Sequence, residues 1–138
     1  MIAYLDSSVL LRVVLGEPGL LPEWKRLTEG VCSTLAQVEC LRTLDRLQHQ
    51  GRLAAAEAAG RREAVYRLLE RLEVADLSRG VLERAAAPMP LPLGTLDALH
   101  LSTAILWREV RGKELVMATH DRGLGEAARA FGFVVIGC

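Results

Sequence analysis

The sequence is short of several things that carry function in other proteins. Its 138 residues hold three cysteines, Cys32, Cys40 and Cys138, and no CxxC pair. That spacing gives no disulfide framework. Aromatic residues make up 4% of the chain, too few for base-stacking platforms, so any nucleic acid would be held through phosphate contacts and shape. Lysine is scarce: fifteen of the seventeen basic residues are arginine, the side chain suited to planar, bidentate contacts with carboxylate or phosphate. Formal net charge is zero, so the total points neither to nucleic acid nor to an anionic membrane surface. No apolar run reaches the ~18 residues of a membrane span, and the start MIAYLDSSV has no basic leader region. These absences predict a soluble protein of a reducing cytoplasm with no membrane role.

What is present is apolar. A hydrophobic content of 51% over this length predicts one domain, residues 1–138, with a sizeable core. Charge is unevenly spread: residues 42–71 carry seven arginines against four acids, so that stretch is net +3 and the remainder −3. Such a run most often marks a solvated helix face.

Short apolar strands alternate with helical stretches. Residues 2–5 read as a strand, 8–15 as a helix stopped by Gly16 and Pro18, and 20–29 as a short second helix ending at Gly30. VCS follows as a buried strand, and Ser33 or Thr34 caps a helix running to about Gln50. A long helix spans 53–72. LEVADLS is the third strand, and Ser78 caps a helix to about Ala87. PMPLPLG, with three prolines in seven residues, predicts a stiff extended loop before a helix reaching about Val110. ELVMATHD, residues 122–131 and FVVIGC complete the pattern as strand, helix and strand. This alternation predicts an α/β fold, a three-layer α/β/α sandwich around a five-stranded parallel sheet.

LGTLDALHLSTAI (93–105) poses a question. Leu96, Leu99, Leu101 and Ile105 leave its helix almost no polar face, which predicts burial, yet Asp97 lies two residues past the cap. A carboxylate carried toward a core is costly unless something compensates it. In parallel sheets, ligands bind at the carboxyl ends of the strands, and four acids map there. Asp6 follows the first strand directly, and Asp121 follows the fourth. Asp97 lies in the first turn of its helix, and Glu39 about one turn into the helix after the second strand.

Each acid also has a plainer role. Asp121 can cap the helix from Arg122, Asp97 can answer a helix dipole for ~0.3–1 kcal/mol, and Glu39 can pair with Arg42 at i,i+3. Asp6 has the least such work, because Ser7 and Ser8 stand between it and the expected helix. Together the four point further. Carboxylates gathered within ~5 Å repel by roughly 3 kcal/mol per pair at an effective dielectric of ~20, so their assembly requires a counter-charge. An all-oxygen set with no paired His or Cys fits Mg2+ or Mn2+. Such an ion acidifies a bound water and neutralises phosphoryl charge, the chemistry of phosphodiester hydrolysis.

YLDSSVLL, STLAQVECLR, TLDALHLSTAI and MATHDRGLGEAARAFGFVVI stand in order along nearly the whole chain. They resemble the anchor segments of the PIN-domain family, specifically the VapC-type toxin ribonucleases of bacterial and archaeal toxin–antitoxin pairs. The resemblance implies a five-stranded parallel sheet and a Mg2+- or Mn2+-dependent endoribonuclease. It also implies a homodimer and a cognate antitoxin that blocks the site. Carried onto this chain, it makes Asp6, Glu39 and Asp97 metal ligands, directly or through water. Asp121, the least uniform of the family's acids, would hold a second ion or orient the attacking water. Ser8 and Thr119 would position the carboxylates. Arg42 and Arg46, at i+3 and i+7 from Glu39, would meet RNA phosphates, with a surface salt-bridge face as the plainer alternative. His49, His100 and His120 read as structural or solvent-facing residues.

Other classes fit less well. Asp-nucleophile phosphatases place a second Asp two residues after the first, where this chain has Ser8, and a receiver domain needs an acidic pair beside the first strand. The remaining alternative is a catalytically weak PIN-like interaction module.

Overall fold

In the computed structural model, which describes residues 1–138, the alternation becomes a five-stranded parallel sheet. β1 (Ile2–Leu5) leads into α1 (Ser7–Leu15), and β2 (Glu29–Ser33) into α2 (Thr34–His49) and α3 (Ala55–Leu69). β3 (Glu73–Ala75) is followed by α4 (Arg79–Ala86) and α5 (Thr95–Arg111). β4 (Val116–Ala118), α6 (Arg122–Ala130) and β5 (Val135–Ile136) close the chain. Strand order is β3-β2-β1-β4-β5, with every pairing parallel. From β1 the chain builds outward through β2 and β3, then crosses over to add β4 and β5 on the other side. The crevice between the carboxyl ends of β1 and β4 is therefore the topological switch point, where open sheets of this kind bind ligands.

The strand pleat sorts side chains onto two faces. Ala3, Leu5 and Cys32 join Val9, Leu10, Val14, Ala36, Cys40, Leu44, Val65 and Leu69 in the core under α1, α2 and α3. Tyr4, Val31 and Met117 point the other way, against Leu101, Ala104, Ile105 and Trp107 of α5 and Leu124, Ala127 and Ala128 of α6. Fully burying one such large side chain contributes roughly 1.5–3 kcal/mol, so both faces of the sheet are needed. Burial pushes the thiols of Cys32 and Cys40 up to about 12, so both act as small hydrophobes. The outer helix α4 is tied to α5 by a bidentate pair, Arg84 to Glu109, at 2.8 and 2.9 Å. No helix is long and apolar enough to cross a membrane.

Three local expectations need correction. Residues 20–29 do not form an α-helix: a 3-10 turn covers Pro22–Arg26 only, and Glu29 and Gly30 belong to β2. The amide of Thr28 donates to the carbonyl of Met1 at 2.8 Å, drawing the segment onto the sheet. A Cβ on Gly30 would lie 2.5 Å from a Leu72 methyl and 3.1 Å from one of Leu5, so a larger residue here would have to displace these leucine side chains. α3 begins at Ala55 rather than 53 and stops at Leu69. The first turn of α5 is open rather than buried: Leu96 is 49% exposed, and the continuous buried stretch runs from His100 to Ile105.

Candidate active site

Asp6 is the centre of a hydrogen-bonded node at the switch point. Its backbone amide donates to the carbonyl of Ala118 at 3.2 Å, joining the ends of β1 and β4. The residue is 4% exposed, and both carboxylate oxygens are engaged. Ser8 Oγ donates to Oδ1 at 2.6 Å, the Val9 amide donates to the same oxygen at 3.2 Å, and Thr119 Oγ1 donates to Oδ2 at 2.7 Å. The supporting hydroxyls are themselves held: the Asp121 amide donates to Thr119 Oγ1 at 2.9 Å, and the His120 amide to Ser8 Oγ at 3.0 Å. Ser8 and Thr119 thus stand where the sequence put them, as supports of a carboxylate. Asp6 itself differs from expectation. α1 starts at Ser7, so Asp6 is its N-cap, and one oxygen does capping work after all.

Asp121 caps α6 in the same way, accepting from the Leu124 amide through Oδ1 at 2.9 Å. It lies at the exposed rim of the crevice. Its plainer role is therefore real, and Oδ2 lies outside the cap.

Asp97 stands in the first turn of α5, half-buried, behind a Gly94 cap that supplies no side-chain hydrogen bond. Its carboxyl is held above the ordinary value, chiefly by burial, then by the charge of Asp121, with smaller contributions from Asp6 and Glu39; only His100 acts the other way. All three other acids therefore bear on Asp97 at once. The ion pairs of the molecule lie elsewhere or engage Glu39, and none neutralises Asp6, Asp97 or Asp121.

Glu39 projects from α2 toward the same crevice and is hydrogen-bonded to Nε2 of His100. It does not pair with Arg42, which instead binds Asp45 at 3.0 Å on the α2 surface. Arg46 contacts Thr43 Oγ1 at 3.3 Å. Both arginines, with Glu39, Ser7, Val38 and Leu96, line a shallow hollow of about 330 Å3 beside the acids.

His100 is the site residue that sequence reasoning missed. It is buried, 2% exposed, with Nδ1 2.8 Å from the hydroxyl of Tyr4 and Nε2 on Glu39. A lone histidine inside an apolar helix reads as core. The signal that points to the site is its place three residues after Asp97, on the same helical face. His120 contributes through its backbone, with its ring on the Gly137 carbonyl at 2.9 Å. His49 is a surface residue near Asp45.

The acids face one another without closing. No group of three or more His, Cys, Asp or Glu side chains is drawn together tightly enough to hold a metal ion. In chemistry the set still fits a hard divalent cation: its donors are carboxylate oxygens, and no Arg or Lys is paired with any of the four.

Comparison with known proteins bears on the family and the fold. The model of the PIN domain family matches residues 3–130. Ribonuclease VapC46 of Mycobacterium tuberculosis is 33% identical over 136 residues, covering 96% of this chain and 95% of that relative. Among solved structures, FitAB bound to the IR36 DNA fragment superposes with a TM-score of 0.70 at 15% identity, over 98% of this chain and 93% of that one. VapBC2 from Rickettsia felis, bound to a promoter DNA fragment, gives a TM-score of 0.64 at 15% identity, over 98% and 97%. Those two likenesses concern the fold.

Proposed function

The chain belongs to the PIN-domain family, among its VapC-type members, and from that premise we propose that it is a metal-dependent endoribonuclease, the toxin of a toxin–antitoxin pair. The observation that carries the reading is the uncompensated acidic crevice at the switch point. There Asp97 feels the charges of Asp121, Asp6 and Glu39 together.

Asp6, Glu39 and Asp97 would hold Mg2+ or Mn2+, and Asp121 would hold a second ion or orient the attacking water. The ion, when bound, supplies Lewis-acid activation of water and of a phosphoryl oxygen. The protein's own contribution is placement. Ser8 and Thr119 fix both oxygens of Asp6, which leaves its remaining lone pairs aimed in a set direction. Asp121 spends Oδ1 on the α6 cap, so Oδ2 is the atom that can accept a proton from water or hold its orientation. Arg42 and Arg46 line the adjoining hollow and would receive the phosphates flanking the scissile bond. RNA as substrate, a cognate antitoxin as inhibitor, a homodimeric state and a cytoplasmic setting complete the proposal.

The open spacing of the acids is what favours the other reading, a PIN-like module that binds without turnover. One assay separates the two. Structured RNAs, tRNA included, should be cleaved with Mg2+ or Mn2+, not in EDTA, and not with Ca2+ alone. Metal-independent cleavage overturns the metal dependence, and no cleavage with any of these ions sinks the enzymatic reading.

A further inference from the structure

We propose that His100 is a positioning residue for Glu39: its buried ring, braced by Tyr4 of β1, fixes the Glu39 carboxylate of α2 relative to Asp97 of α5. The inference rests on the metal-binding reading of Glu39 and Asp97.

α2 and α5 cover opposite faces of the sheet, and their buried residues belong to separate cores. A carboxylate on one helix is therefore not placed against the other by shared packing. The His100–Glu39 hydrogen bond crosses that gap at the site itself. His100 and Asp97 are three residues apart on one helix, so a bond to the ring ties Glu39 to the frame that carries Asp97.

The protons are set by the partners. An ionised Glu39 only accepts, so Nε2 carries the ring proton and donates it. The other ring nitrogen, Nδ1, is hydrogen-bonded to the Tyr4 hydroxyl at 2.8 Å. Tyr4 is fully buried, and that burial, ahead of the neighbouring Cys32, Asp6 and Glu39, raises its pKa well above the ordinary value. The phenol stays protonated against the ring. With the ring fixed by β1 on one side, Glu39 loses its rotamer freedom before an ion arrives, which removes an ordering cost from binding.

The test measures Mn2+ binding to the metal-free protein, with free Mn2+ counted by its EPR signal, beside melting curves in EDTA. His100→Ala should raise the Mn2+ dissociation constant about 10–100-fold, the range for loss of an outer-shell partner. His100→Gln, whose amide can still donate to Glu39, should recover part of that loss, and Tyr4→Phe should weaken binding in the same direction by less. Leu101→Ala, a buried neighbour on α5 in the core on the opposite side of the sheet from α2, should lower the melting temperature and leave the Mn2+ constant unchanged. If His100→Ala does not fold, His100→Gln and Tyr4→Phe carry the comparison against Leu101→Ala. Weakened binding in Glu39→Gln with parent-like binding in every His100 and Tyr4 variant overturns the positioning role alone. Parent-like binding in Glu39→Gln removes Glu39 from the metal site and overturns both readings.

Discussion

At Asp6 burial is matched by donors. Ser8, Thr119 and the Val9 amide reach both oxygens, and the same contacts cap α1 and join β1 to β4. At Asp97 burial is met by charge of the same sign: Asp121, Asp6 and Glu39 all push its carboxyl upward, and α5 begins without a side-chain cap. The two residues would serve one ion, yet the fold leans on the first and carries the second at a cost. An acid built into the hydrogen-bond network is a structural as well as a functional part. An acid held only by its helix is free to be stabilised by what it binds.

The largest expected effect falls on the Asp6 side. Asp6→Asn keeps a good cap for α1 but places an amide nitrogen against a hydroxyl donor and removes one negative charge. RNA cleavage should drop by at least about a hundredfold, beyond the 10–100-fold range for losing a supporting partner, while circular dichroism still reports a folded protein. Parent-like cleavage by the folded variant would refute the catalytic assignment.

Thr119→Val probes the support rather than the ligand. The substitution leaves the buried Asp6 Oδ2 and the Asp121 amide without their shared partner. It should lower stability by about 1–3 kcal/mol and reduce activity about 10–100-fold. Chemical denaturation and Mn2+ titration of activity read the two effects separately. A stability loss with unchanged Mn2+ dependence would make Thr119 a fold residue only.

Away from both acids, Arg42→Ala and Arg46→Ala should cost little stability, because both arginines are exposed on α2. Their effect should appear in RNA affinity, with the salt-dependence slope reduced by roughly one unit per lost phosphate contact. Unchanged slope and affinity in both variants would assign these arginines to the α2 surface alone.

The same contrast explains what the sequence made legible. Strand-to-helix junctions are local, so Asp6, Glu39 and Asp121 are legible near strand ends from chain order, while Asp97, beyond α4 and a loop, is marked by its place in the first turn of an apolar helix; the five strands follow from their apolar alternation. Features that depend on distant partners were harder to read. The 20–29 segment was misread because its extended ends are fixed by Met1 and the sheet. The capping role of Asp6 is hidden in the sequence because the pattern puts the start of α1 one residue late, at 8 rather than 7. His100 escaped because its partners, Tyr4 and Glu39, are 96 and 61 residues away.

The smallest effect, and the one that separates the two acids most directly, is on the stability of the metal-free protein. Asp97 has a folded pKa above its ordinary 3.8. Where it is ionised in both states, the folded state bears the whole penalty of burial and repulsion. As pH falls from neutrality through the raised folded value, the native state takes up a proton that the unfolded state does not yet bind, so this contribution to stability rises. It is complete once pH passes below the unfolded value, where both states are protonated and the penalty is gone. Asp97→Asn removes the charge at every pH. In EDTA near neutrality the variant should melt higher than the parent, by about 1–2 °C after allowance for solvent screening of a half-exposed group. Its pH profile should be flatter over the same interval, and it should gain much less from added Mn2+. If Asp97 acts only as a partner of the α5 dipole, the signs reverse. The variant then loses a few tenths of a kcal/mol and keeps the parent's Mn2+ response. Melting curves of the two proteins at two pH values, with and without Mn2+, distinguish these outcomes.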